Sequence, residues 1–186
     1  MAVNIRSGAL LVGLACALLT LAPARAQIVD YSPTITVDGL VAGSRTYDVD
    51  ALRALPATEV YIQGLDVPDT RSYRGVTLYD LLVDADPQFD PDHPTDALNW
   101  YALVSAGSDR SVIVAWAEID PMFEGKPVLV AYERDGQPLP LQQGMAQLIV
   151  PFDRRTTRAI ANVRTISLQR PQIDPSVDPD AFFTLP

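Results

Sequence analysis

Arg154, Arg155 and Arg158 stand close together in a chain with 14 basic and 23 acidic side chains and a formal net charge of −9. They make a local reversal of sign. Guanidinium forks match anions and carbonyl acceptors, so at least one of the three is expected to contact a ligand, the alternative being an ordinary solvated face. Asp109 and Arg110 sit in a Ser-Asp-Arg-Ser turn among small residues, where a carboxylate can receive an amino or N–H edge or simply close the turn. Trp100 and Trp116 offer flat apolar faces for stacking, although core burial is the commoner fate of an aromatic beside a strand. Tyr101 follows Trp100 directly and would face the other way, so at most one of that pair lines a pocket. Ser105, at the end of the same strand pattern, completes the set of candidate ligand contacts.

Other chemistries have little support. His93 is the sole histidine, lies between Asp92 and Pro94, and reads as solvent-exposed. A serine–histidine–acid triad would have to use it, and no nucleophile-elbow motif is present. Asp84, Asp86, Asp90, Asp92 and Asp96 lack the central glycine and terminal glutamate of a helix–loop–helix calcium site, so they read as a solvated loop. No glycine-rich phosphate loop occurs. No catalytic residue and no metal ligand is assigned.

The elements that must position these residues are short. Residues 34–37 alternate as a strand and reach a turn at Asp38-Gly39. Asp48 or Asp50 caps a short helix that Pro56 stops after Leu55. A strand is expected over 60–63, a polar loop over 65–72, and a helix over 76–82 with Val76, Leu78, Leu81 and Leu82 inward. Residues 84–96 read as an exposed loop. Strands are expected over 100–105, 111–115, 128–132, 147–150 and 163–168, with one helical turn within 116–123. From Gln169 onward the chain reads as a proline-rich surface or disordered tail. Many short strands with few helices define an α+β class with a β-rich core.

Residues 1–26 read as a cleavable signal peptide. Arg6 supplies the positive start, residues 8–21 are largely apolar, and Ala24-Arg25-Ala26 is a small-x-small processing site. The apolar stretch is shorter than the ~20 residues that a spanning helix needs. Export to the periplasm or beyond is therefore expected, leaving one domain over 27–168 and a tail over 169–186. Cleavage takes away Arg6 and Arg25 and no acid, so the mature chain is more acidic still. Such a surface argues against nucleic acid as a partner. Cleavage also removes Cys16, the one cysteine, leaving no disulfide, thiolate ligand or cysteine nucleophile.

The order of segments carries a resemblance. Val37-Asp38-Gly39-Leu40 leads to Asp50-Ala51-Leu52 and Tyr73-Arg74-Gly75-Val76-Thr77-Leu78. Ser108-Asp109-Arg110-Ser111, Val130-Ala131-Tyr132-Glu133, Asp135-Gly136-Gln137-Pro138 and Leu148-Ile149-Val150-Pro151 follow. Over roughly residues 35–168 this resembles the oxidoreductase molybdopterin-binding domain, the sulfite-oxidase fold, in a short stand-alone exported form. Catalytic relatives hold molybdenum through a cysteine thiolate, which a hydroxyl or carboxylate does not replace. The resemblance without that cysteine implies a non-catalytic binder of a pterin or molybdopterin, without metal. It also implies a report to a membrane-bound sensor or redox subunit. The alternative is a molybdopterin-dependent oxidoreductase, and a third reading is a domain that binds only protein. As implied contacts, Trp100 or Trp116 would stack on the pterin ring, Asp109 would take its amino edge, and Ser105, Arg110, Arg154, Arg155 and Arg158 would meet its acceptors.

Overall fold

The computed structural model describes residues 31–63, 69–90, 92, 94–107 and 110–171, with the backbone alone at 94–96. The expected signal peptide, His93, Asp109 and most of the expected tail lie outside the described residues.

Strand β1 (Ile35–Gly39) buries Ile35 and Val37 and turns Thr36 and Asp38 outward, as its alternation requires. Strand β2 (Arg45–Tyr47) returns beside it. Helix α1 (Val49–Ala54) begins where Asp48 accepts the Ala51 N–H at 2.8 Å, and Leu52 anchors it in the core. Strands β3 (Thr58–Ile62) and β4 (Arg71–Thr77) pair antiparallel.

Two expectations fail here. Arg71 and Ser72 belong to β4 and not to a loop, because they pair with Ile62 and Tyr61. Val76 and Thr77 also remain strand, held against Val130 and Leu129. Helix α2 (Leu78–Asp84) therefore starts two residues late, with Thr77 as its cap: the hydroxyl accepts the Asp80 N–H at 3.0 Å and donates to the Asp80 carboxylate at 2.6 Å. The residues after α2 are not wholly exposed either. Ala85 is fully buried, Pro87 bridges to Val41, and Phe89 packs on the core.

A 3-10 turn (Pro94–Asn99) leads to β5 (Tyr101–Ala106), β6 (Ser111–Ala115) and the short helix α3 (Trp116–Ile119). Then come β7 (Leu129–Arg134), β8 (Gln137–Pro138), β9 (Gln147–Ile149) and β10 (Val163–Gln169).

The strands form two sheets. The first has the order β2-β1-β10-β5-β6, with β1 and β10 parallel and its other pairs antiparallel. The second has the order β3-β4-β7-β8, with β9 also paired to β7. Val37, Val104 and Ile166 of the first sheet share one core with Val76, Val130 and Leu148 of the second and with Leu78, Leu81 and Leu82 of α2. The second sheet also buries Val60, Tyr73, Leu129, Ala131 and Ile149 on its other face. Among the described residues no helix is long and apolar enough to cross a membrane.

Candidate functional site

The β5–β6 connection is tied down at both ends. Ala106 N–H donates to Arg110 O at 3.0 Å, and Gly107 N–H donates to Asn162 O at 3.2 Å. A Cβ at Gly107 would lie 2.6 Å from the Arg164 guanidinium, the flexible end of that side chain, which would have to shift to admit it. Asn162, at φ 57, is a buried polar residue that turns the chain into β10, and asparagine tolerates that backbone well. Its N–H reaches Gln143 O at 2.6 Å, and its side-chain oxygen accepts the Ser32 N–H at 2.9 Å.

The segment between β9 and β10 lies against this connection. Arg110 is exposed, and its guanidinium donates to Thr157 O at 3.3 Å. Pro151 is buried, and Ile160 exchanges backbone hydrogen bonds with Leu148 at 2.9 and 3.2 Å, so both ends of the segment are fixed. Between them Phe152 is 80% exposed and sits at φ 69. That is an outlier for a bulky side chain, and such backbone strain clusters at ligand clamps and active sites. Arg154 and Arg155 follow, both exposed.

Arg158 has a different setting. Its Nη1 and Nη2 donate to the two Glu118 oxygens at 3.1 and 2.9 Å, and its Nε and Nη2 donate to the Asp153 oxygens at 2.8 and 2.7 Å. Lys126 adds a third contact to Glu118 at 3.0 Å. The bonds to Arg158 hold the Glu118 and Asp153 carboxyls below the ordinary carboxylate range, against the opposing effect of burial. The same carboxylates push the Arg158 guanidinium still higher. Arg158 thus fastens its segment to α3, and its donors are directed at protein carboxylates.

The tryptophans are core residues. Trp100 and Trp116 are buried, and Phe89 packs on both, with ring centroids 4.6 and 4.7 Å away. Tyr79 packs on Trp116 at 5.4 Å, and the indole N–H of Trp116 donates to Asp120 at 2.8 Å. Trp100, just before β5, and Ser105, near its far end, are five residues or about 16–17 Å apart at the strand rise. Ser105 pairs with Thr165 and Ser111, at the sheet end where the β5–β6 connection lies. The arginine end is thus the segment carrying Arg154 and Arg155, joined through Thr157 O to Arg110 beside the Ser105 end of β5 and through Arg158 to α3, the helix that begins with Trp116, while Trp100 stands at the opposite end of β5.

A cavity of about 1110 Å³ lies at the other end of the first sheet, lined among others by Gly39, Asn99, Trp100, Tyr101, Gln169 and Arg170. Of the candidates only Trp100 reaches it. The arginine end is preferred as the functional site because it gathers exposed cations, an exposed aromatic and backbone strain. Sequence reasoning passed over Phe152 as an aromatic platform. Its position between a proline and an Asp-Arg-Arg run was the available signal.

No protein-family model matches the sequence, and no curated protein matches it. Among solved structures the fold is similar to the crystal structure of the sulfane dehydrogenase SoxCD from Paracoccus pantotrophus. The TM-score is 0.55 at 20% identity, over 75% of this chain and 38% of that one. This chain spans well under half of that protein's length, and a likeness at this identity establishes the fold. The α+β, β-rich, sulfite-oxidase-like architecture expected from the order of segments is the architecture observed.

The residues present fit one part of a molybdopterin-type group and not the other. Exposed guanidinium groups suit its anionic and acceptor-rich edges. A thiolate-held metal does not fit the described residues, which include no cysteine: the one cysteine is Cys16, outside them. Among the described residues no group of three or more His, Cys, Asp or Glu could hold a metal ion.

Proposed function

We propose that the chain is an exported protein that binds a pterin-class ligand at the arginine end and carries out no redox step itself. The observation that carries this reading is Phe152, 80% exposed at φ 69 and followed by the exposed Arg154 and Arg155. A flat heterocycle would stack on the Phe152 ring, while Arg154, Arg155 and Arg110 would donate to its carbonyl, ring-nitrogen or phosphate acceptors. Asp109 would take the amino edge. Stacking thereby passes from the tryptophans, which are buried and packed against Phe89, to Phe152. A location outside the cytoplasm follows from the signal-like residues 1–26. A report to a membrane-bound sensor or redox subunit rests on the family resemblance.

Titration calorimetry of the mature protein with reduced pterins tests the reading. Saturable heat is expected, and the double substitution Arg154→Ala/Arg155→Ala should weaken binding by on the order of tenfold or more, the worth of one or two charge-assisted bonds. Absence of both heat and any thermal shift with reduced pterins would sink the binding reading. The likeness to a dehydrogenase favours an oxidoreductase as the second reading. Stoichiometric molybdenum in protein matured in its native host would establish that reading and overturn the non-catalytic one.

A further inference from the structure

Ser111-Val112-Ile113-Val114-Ala115 is a β-branched run with no charge, no proline and no glycine. It forms β6, the last strand of the first sheet, and among the described residues no strand pairs with its outer side. The bonds Ala106 N–H to Arg110 O and Trp116 N–H to Trp100 O set the phase of the β5–β6 ladder. Val112 and Val114 exchange bonds with Val104 and Ala102, so the backbone N–H and C=O groups of Ser111, Ile113 and Ala115 point away from the sheet. The side chains of these same three residues are exposed, Ile113 by 59%.

The other edges carry the guards that proteins place on free strands. Strand β2 has three residues and opens on Arg45, and β3 sets Glu59 on its exposed side. Strand β8 has two residues and ends in Pro138, and β9 has three. Strand β6 has no such guard.

We propose that β6 is a self-association edge, where two copies of the chain pair antiparallel about a twofold axis through Ile113 and join their first sheets into one. In this register Ile113 faces the partner's Ile113, Ser111 faces the partner's Ala115, and Val112 faces the partner's Val114. Each outward donor then meets an outward acceptor. A twofold contact sets a surface against its own copy, so a chain of net charge −9 needs a strip without charge to make one. Strand β6 is such a strip. The ionisable residue next to it, Arg110, falls opposite the partner's Trp116 and meets no like charge. A five-residue edge contact is smaller than a standard stable interface, so the dimer is reversible and concentration-dependent. This inference is independent of the ligand reading.

Sedimentation velocity of the purified chain over a dilution series tests it, together with two variants. Ile113→Lys sets two ammonium groups against each other across the axis. Ala115→Pro deletes an outward N–H that the β5–β6 ladder does not use, at a residue whose φ of −67 already suits proline. A monomer–dimer equilibrium is expected in the wild type, weakened by on the order of tenfold in each variant, with thermal midpoints unchanged. A chain that stays monomeric into the millimolar range overturns the proposal. So does a dimer that survives both substitutions, and if Ile113→Lys fails to fold, Ala115→Pro decides alone.

Discussion

Replacing Arg158 by methionine keeps the length and apolar stem of the side chain and removes four hydrogen bonds of 2.7–3.1 Å to Glu118 and Asp153. Glu118 keeps Lys126, whereas Asp153 loses the guanidinium altogether. A charge-assisted bond removed from one side costs ~1.5–3 kcal/mol. The Arg158 side chain is 31% exposed and Asp153 can rehydrate, so the whole change is expected to cost about 2 kcal/mol, near the low end of a buried pair. In a chain of this size that lowers the melting temperature by about 4–8 °C. The loss should depend on pH in one direction. Glu118 and Asp153 have folded-state pKa values below their ordinary ones, so the stability they lend is complete above the ordinary carboxylate range. It disappears as pH falls through the depressed values. Urea unfolding of wild type and Arg158→Met from neutral pH into acid should give two curves that converge as the carboxylates protonate. A gap below about 0.5 kcal/mol at neutral pH, or one that stays constant into acid, would refute the clamp.

Tyr47, buried with its hydroxyl donating to Asp84 at 2.7 Å, has its pKa pushed up to about 12 by burial first and by Asp84 second. Its neutral form should support the fold below pH 10 and cease to do so as pH rises through about 12. Tyr47→Phe should remove the component of tyrosinate absorbance near pH 12, at a cost near ~1 kcal/mol in denaturant unfolding, while Tyr79, raised by burial, still titrates late. Gly75→Ala should cost at least ~2 kcal/mol, read by thermal melting, because the new Cβ would fall onto Val130 O and 2.6 Å from Ala131 Cα, backbone that cannot step aside. Phe152→Gly should leave stability unchanged or raise it by up to ~1 kcal/mol, since relief of the left-handed backbone offsets the added chain entropy, while pterin binding falls.

Much of the fold is legible in local patterns. The alternation of Ile35 and Val37, the Asp48 cap and the buried apolar run of β7 each state their element because local preference and burial agree. The start of α2 is not legible, because Val76-Thr77-Leu78 fits strand and helix equally and pairing with β7 decides. The site is less legible still. Arg154, Arg155 and Arg158 are the same residue type on one short segment, and Glu118, 40 residues away in sequence, acts with Asp153 to assign Arg158 to structure. Phe89, which packs on both tryptophans, lies in a stretch too polar to read as core. No local signal carries these distant contacts.

The strain at Phe152 persists only because its surroundings over-determine it. A left-handed phenylalanine costs ~1–2 kcal/mol and would relax in a loop free to do so. Here Pro151 is buried on one side, the Ile160–Leu148 bridge closes the other, and the Arg158 clamp holds the middle to α3. A tip held in this way arrives at its ligand already ordered, and binding need not supply the ~0.5–1.5 kcal/mol of entropy that each immobilised side chain otherwise costs. On the proposed reading Arg158 serves the site by holding the tip in place. Arg158→Met should weaken pterin binding without touching the ligand, and calorimetry should show the loss as a more unfavourable entropy, whereas Arg154→Ala/Arg155→Ala should lose enthalpy. Equal signatures from the two variants would mean that the clamp does not preorganise the tip.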